Sequence, residues 1–367
     1  MSMQWHFAVL SKDTWWHPRR ARKQLLYQAL TKRDEVISIL HANASRLWWR
    51  PRLDGVDMPV PEKMEIFTPT LLCPGERFEL VRRFNRYFMA TQLRQRWQCR
   101  GDQKVLFFYN PRDVDAALSF RGEAKVIYDW TEDWAEFYQD SSLIELQKRA
   151  VREADAVVAV TEELTDRAIR LRGDNKVLWL PNATALPIFL DKEEHPELKD
   201  IPVPRMGYLG HLGPWFDAAF IRDVALHCSD WSFVFVGSLN PSSQESLSGI
   251  ENVHCLGVHQ LDELPAFLAG FDVCIAPYIG QGFSGDASKF YDYLTSGKPI
   301  VTTQIPGIER FGDSLYVADD VSSWRDAISQ AMGEVPSLRT KRLEMAKLHT
   351  WDHRAIELLA WLSGLEE

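Results

Sequence analysis

Residues 271–303 read FDVCIAPYIGQGFSGDASKFYDYLTSGKPIVTT. An apolar run, 273–276, is closed by Pro277. A glycine-spaced loop, 280–285, follows it. A short helix signal then ends at Gly297 and is sealed by Pro299. A β-rich run, 299–303, completes the unit. Strand, loop, helix and strand in this order make a βαβ crossover. The loop falls at the carboxyl end of the first strand and the amino end of the helix. Open α/β sheets bind ligands there, and anions are favoured. Lys289, in the first turns, opposes the helix dipole. A cation so placed points to a negatively charged partner.

The chain has 367 residues, which predicts two domains of ordinary size. With 46% hydrophobic and 25% charged residues, each half can bury a substantial core. No apolar run reaches the length of a membrane span. The opening MSMQWHFAVL lacks a basic n-region and a cleavage site, so it reads as a first strand and not a signal peptide. The five dispersed cysteines form no CxxC pair, which argues for a reducing compartment and against a zinc site. Residues 1–185 hold 29 Lys and Arg against 25 Asp and Glu, whereas the remainder holds 13 against 26. A basic first half fits anionic lipid or a phosphorylated substrate, and fits ordinary surface variation equally well. The net charge of −9 disfavours nucleic-acid binding.

The first half alternates strand and helix signals. Strands are predicted at 7–10, 36–40, 105–109, 125–128, 156–160 and 177–180. Helices are predicted at 21–31, 76–98 and 143–152, and after Thr161. Residues 42–75 read as irregular. The helix at 76–98 carries an apolar stripe, Phe78, Val81, Phe84 and Phe88, expected in the core. Its other face holds Arg82, Arg83, Arg86, Arg94 and Arg96, for which solvation and a membrane surface are both open readings.

Residues 185–204 read as a linker, with prolines and the charged run DKEEHPELKD. The alternation then restarts, with strands at 205–209, 232–236 and 253–256 before the opening unit. Helices at 321–332 and 341–362 close the chain. Two α/β halves predict a two-lobed molecule with a cleft between the lobes.

The ordered set MGYLGHL, FVFVGSLN, NVHCLGVHQLDELPAFLAGFDVCIAPY and SKFYDYLTSGKPIVTT resembles the donor-binding lobe of GT-B glycosyltransferases. In the first half KVLFFYNP, VIYDWTEDWAEF, ADAVVAVTEEL and LPNAT resemble bacterial polysaccharide glycosyltransferases of the teichuronic acid and exopolysaccharide type. The resemblance implies two Rossmann-like lobes: an acceptor domain at 1–184 and a nucleotide-sugar domain at 205–345. A last helix at 346–367 is expected to return to the first lobe. It also implies transfer of a hexose from a nucleotide diphosphate sugar, UDP ahead of GDP, without a metal or other cofactor. The acceptor would be a lipid-linked or other saccharide in polysaccharide biosynthesis. The expected location is cytoplasmic, with possible peripheral contact at the inner face of the membrane. A nucleotide-sugar 2-epimerase and a non-catalytic sugar-nucleotide-binding assembly protein are the alternative readings.

By the same resemblance the donor site comprises Gly210, His211, Gly237, Ser284, Gly285, Ser288, Lys289 and Asp292. Lys289 would approach the diphosphate and Asp292 the ribose. Many retaining relatives carry two glutamates eight positions apart, and here Ser284 and Asp292 stand there, which leaves the stereochemistry open. Glycines at 210, 213, 282 and 285 let backbone approach an anion closely, although each pair alone equally describes an ordinary turn. Tyr278 and His259 are further donor-side candidates, or else packed side chains. A general base is sought after the strand 125–128, first at Glu132, then Asp133, with Asp129 beside them; helix capping is the competing role. After the first strand, Trp15, Trp16, His17, Arg19 and Arg20 offer aromatic faces for sugar rings and cations for a lipid diphosphate.

Overall fold

A computed structural model describes the chain except residues 1–2, 12, 17–21, 51–58, 76–77, 100–102, 190–191, 281–285 and 366–367. The chain divides into two compact units. The first joins Met1–Pro181 to Trp351–Glu367, and the second is Asn182–Thr350.

In the first unit the strands are β1 Trp5–Leu10, β2 Val36–Ala42, β3 Arg46–Leu47, β4 Met64–Phe67, β5 Thr70–Leu71, β6 Gln103–Phe108, β7 Lys125–Trp130, β8 Ala156–Ala159 and β9 Val177–Trp179. Seven of them form one sheet in the order β4-β2-β1-β6-β7-β8-β9, with parallel pairing throughout. Every residue of β1 is buried, as expected of an apolar strand covered on both faces. The helix Trp351–Gly364 belongs to this unit and packs on the helix Arg22–Thr31. Its Arg354 Nε donates to the carbonyl of Pro181 at 3.1 Å.

Two expectations fail in this unit. Residues 42–75 are not irregular throughout, because β4 joins the main sheet and β3 pairs with β5 as a parallel ribbon. Strands of two residues carry no readable periodicity. The second failure is the helix Glu79–Arg96, whose buried residues are Asn85, Arg86, Met89, Ala90 and Leu93. The predicted stripe faces outward instead, with Phe78 and Phe84 exposed and Val81 and Phe88 only half-buried. Specific partners turn the helix over. Asn85 accepts from the N–H groups of Leu72 and Cys73 and donates to the Cys73 carbonyl. Arg86 pairs with Asp113 at 2.8 Å.

The second unit has β10 Arg205–Leu209, β11 Ser232–Val236, β12 Val253–Gly257, β13 Val273–Ala276, β14 Ile300–Thr302 and β15 Tyr316–Val317. They form a six-stranded sheet in the order β12-β11-β10-β13-β14-β15. The crossover read from residues 271–303 is present. β13 and β14 pair in parallel, Cys274 opposite Ile300, with the helix Ser288–Leu294 between them in sequence. The stretch 185–204, expected as a linker, is part of this unit: Leu186, Leu198 and Ile201 are buried in its core. Arg205 reaches back to Glu194 at 2.6 Å, and His195 stacks on Phe267 with ring centroids 3.9 Å apart. Its sparse apolar residues pack against β-sheet neighbours distant in sequence, so no local period announces them.

Candidate functional site

The second unit builds its candidate site where β10 and β11 end. Gly210 follows β10 with φ +121°, and Gly237 follows β11 with φ +148°. A Cβ at Gly237 would lie 1.9 Å from the Gly210 carbonyl oxygen, so only glycine fits. A Cβ at Gly210 would lie 2.7 Å from Lys289 Cε and 2.9 Å from Lys289 Nζ. Glycine therefore lets the lysine tail lie on the end of the central strand. The ammonium sits 5.2 Å from the centroid of the Tyr208 ring, in cation–π range. His211 Nδ1 donates to the Ser238 carbonyl at 2.9 Å, and Ser238 Oγ is at 2.8 Å, which ties the two strand-end loops together. Ser288, at the start of the lysine helix, is exposed. That helix has seven residues, so the positive charge at this spot is chiefly the half-buried Lys289 and not a macrodipole. Ser284 and Gly285 lie outside the described residues.

Asp292 is half-buried three residues after Lys289. Its Oδ1 accepts from Thr184 Oγ1 at 3.0 Å and from the Ala185 N–H at 2.9 Å. Burial pushes its carboxyl up to about 6, against the lowering pull of these donors and of Lys289. Tyr278 is buried, with its ring edge-on to Phe290 at 6.0 Å. It packs the floor of the site and presents no free face to a ligand.

His259 stands elsewhere in the unit. Its Nε2 donates to the Leu256 carbonyl at 3.2 Å, and its Nδ1 lies 3.6 Å from Glu263. With His195 these residues place three ligand-type atoms within 4.8 Å of one another, the one such group among the described residues. His195 Nδ1 accepts from the Glu197 N–H at 3.4 Å, so a metal at its Nε2 would require that proton arrangement to reverse. None of Gly210, Gly237 and Lys289 belongs to this group.

A second carboxylate at the site carried no sequence signal. Asp286 is buried and accepts from the Asn182 N–H at 2.6 Å, from Tyr291 Oη at 3.1 Å and from Arg310. Together with the Asp292 bonds, these contacts fasten residues 182–185 to Asp286 and to the helix Ser288–Leu294. The Asn182 and Thr184 of LPNAT are thereby positioning residues. Arg310 comes from a stretch with no motif, and only its partner Asp286 reveals it.

In the first unit, the carboxyl end of β7 carries the candidate bases. Asp129 is fully buried and pairs with Arg22, Nε to Oδ2 at 3.3 Å and Nη2 to Oδ1 at 3.4 Å. Asp133 caps the helix Trp134–Phe137 through the Glu136 N–H and also accepts from Gln147 Nε2 at 3.1 Å and from Arg167. Burial would raise the Asp133 carboxyl, but Arg167 and Gln147 hold it below its ordinary value. Both aspartates are thus committed to internal partners, which takes them out of the base role. Glu132 is half-buried between them in sequence.

Of the expected acceptor residues, Trp15 is buried, donates its backbone N–H to Asn43 Oδ1 at 2.8 Å, and sets its ring edge-on to His41 at 5.3 Å. It is packing, not a sugar platform. Trp16 is half-buried. His17, Arg19 and Arg20 lie outside the described residues. The cation the sequence reading passed over is Lys23, buried beside Asp13 at 2.7 Å and 4.6 Å from the Tyr109 ring centroid.

Comparison with known proteins bears on this geometry. Residues 204–334 match the family model described as glycosyl transferases group 1. TuaH of Bacillus subtilis (strain 168), whose name places it in teichuronic acid biosynthesis as a glycosyltransferase, is 25% identical over 207 residues. That match takes in 51% of this chain and 52% of TuaH, about half the length of each. Among solved structures, sucrose-phosphate synthase from Thermosynechococcus elongatus superposes with a TM-score of 0.73 at 13% identity, over 99% of both chains. Anabaena Alr3699/HepE in complex with UDP gives 0.67 at 14% identity, over 99% of this chain and 100% of that one. An E. coli trehalose-6-phosphate structure bound with UDP-2-fluoro glucose gives 0.69 at 11% identity, over 98% of this chain and 99% of that one. The glycine ends of β10 and β11 and the lysine helix all fall within residues 204–334. The chain has the GT-B fold of these structures, and residues 204–334 of its second unit are similar to the group 1 glycosyl transferases.

Proposed function

We propose that the chain transfers a hexose from a nucleotide diphosphate sugar, UDP ahead of GDP, to a lipid-linked or other saccharide acceptor in bacterial polysaccharide assembly. One observation carries this reading: the Lys289 side chain lies against Gly210 at the end of β10, beside the Tyr208 ring. In the reaction the bond between the anomeric carbon and the diphosphate oxygen breaks, and negative charge grows on the leaving diphosphate. Lys289 and backbone N–H groups near Gly210 and Gly237 would stabilise that charge without a metal. Asp292, held by Thr184 and Ala185, would turn its exposed side to the ribose. Glu132 is the remaining candidate base for the acceptor hydroxyl if configuration inverts. The UDP in the Anabaena and E. coli structures supports the choice of nucleobase. No helix among the described residues is long and apolar enough to cross a membrane. A cytoplasmic enzyme working on a membrane-presented acceptor fits that.

Thermal-shift titration with UDP, GDP and ADP, then with their sugars, tests the donor half. Stabilisation by UDP and UDP-sugars is expected, and stabilisation by none would contradict it. Product analysis with a membrane extract separates transfer from epimerisation.

A further inference from the structure

The helix Glu79–Arg96 presents an apolar stripe to the outside. Leu80, Phe84 and Tyr87 are spaced i, i+4, i+7, which puts them on one line of the helix surface. They are 81%, 49% and 71% exposed. The β3/β5 ribbon continues this surface. Asn85, fully buried, hydrogen-bonds the backbone of Leu72 and Cys73, and the Trp48 N–H donates to the Leu71 carbonyl at 3.2 Å. Trp48 is 64% exposed and meets the exposed Trp49 edge-on at 5.5 Å. Interleaved with these rings are Arg50 and Arg83, both exposed, and Arg82, half-exposed, against the single acid Glu79 among the described residues of this surface.

Such a face is not a core element that lost its partner, because the same helix already buries its other side. Trp and Tyr beside arginine suit a water–lipid boundary, where the ring enters the headgroup layer and the cation meets phosphate. We propose that this surface docks on an anionic bilayer. Charge complementarity favours that occupant over a second copy of the chain, whose identical face would bring like charges together. The ribbon extends from the carboxyl ends of β2 and β4, since the Asn43 N–H donates to the Phe67 carbonyl at 2.9 Å and the Arg46 N–H to the Pro69 carbonyl at 3.0 Å. A bilayer held there lies at the ligand-binding end of the first sheet. A lipid-linked acceptor, under the function proposed above, would arrive from it. The docking itself does not depend on that reaction.

Co-sedimentation of the full chain with vesicles tests it, using phosphatidylcholine alone or mixed with phosphatidylglycerol. Binding to the phosphatidylglycerol vesicles and its weakening by salt are expected, with little binding to phosphatidylcholine. Arg82→Gln with Arg83→Gln should weaken the binding roughly thirtyfold at low salt. Leu80→Ser with Tyr87→Ser should weaken it at least about tenfold. Melting temperature and nucleoside diphosphate binding should be unchanged in both variants, because all four side chains lie outside the core and the donor site. Absence of vesicle binding, or equal binding by the Leu80 and Tyr87 variant, would overturn the proposal. So would a dimer that the same variant dissolves, which would name a second copy as the occupant. Loss of UDP binding with vesicle binding intact would instead count against the transferase reading alone.

Discussion

At the carboxyl ends of β10 and β11 the chain places glycines and a half-buried lysine, whereas at the carboxyl end of β7 it places aspartates already held by arginines. Both are the ligand-binding ends of parallel sheets. The second unit lays the Lys289 side chain against Gly210 and the Tyr208 ring. The first unit uses its charges on itself, with Arg22 against Asp129 and Arg167 against Asp133. Position in the topology therefore nominates both ends, but only the pairing of the charges separates recognition from internal support. By that criterion Asp129 and Asp133 serve the first unit's own structure.

The contrast is sharpest where a variant removes one member of a buried pair. Asp129→Ala removes the carboxylate that faces the buried Arg22 guanidinium, and should cost about 3–5 kcal/mol in a denaturant titration. A loss below about 1 kcal/mol would mean that the pair is solvated and that Asp129 is free for another role. Gly237→Ala breaks the other end by backbone collision, since its Cβ would meet the Gly210 carbonyl at 1.9 Å. It should cost about 1–3 kcal/mol and abolish nucleotide binding even where the protein still folds. Retained affinity would place the nucleotide elsewhere.

How much of this was legible in the sequence follows the range of the contacts. The strands were readable because their apolar runs are buried on both faces, and the glycines because each sits at a strand end before a helix signal. Lys289 was readable because it violates the dipole preference of its own helix. The roles of Asp129 and Asp133 were not, because their arginines lie 107 and 34 positions away. The face of the helix Glu79–Arg96 was misread for the same reason: Arg86 is buried by Asp113, not by any local pattern. Residues 185–204 looked like a linker because their few apolar anchors pack on β-sheet neighbours far along the chain.

Smaller effects refine the comparison. The Asp292 carboxyl ordinarily titrates near 3.8 and is raised to about 6 in the fold. The folded state then binds the proton more tightly than the unfolded chain. The stability this contributes is full below about pH 4 and is lost as pH rises through about 6. Asp292→Asn keeps an acceptor for Thr184 and Ala185 and should flatten that slope in melts across this range. An unchanged slope would assign the titration to another group. Glu132→Gln keeps the side chain's shape, so it should cost no more than about 1 kcal/mol and shift the melting temperature by no more than about 4 °C. Transfer activity should nevertheless fall by about 100-fold or more if Glu132 is the base. Full activity would remove it from that role.

The central claim is that Lys289, lying against Gly210 at the end of β10, receives the diphosphate. Isothermal titration of wild type and Lys289→Ala with UDP and with uridine tests it most directly. Loss of one charged contact predicts UDP affinity lower by about 10- to 100-fold, with uridine affinity unchanged. Equal weakening of both ligands, or of neither, would contradict it.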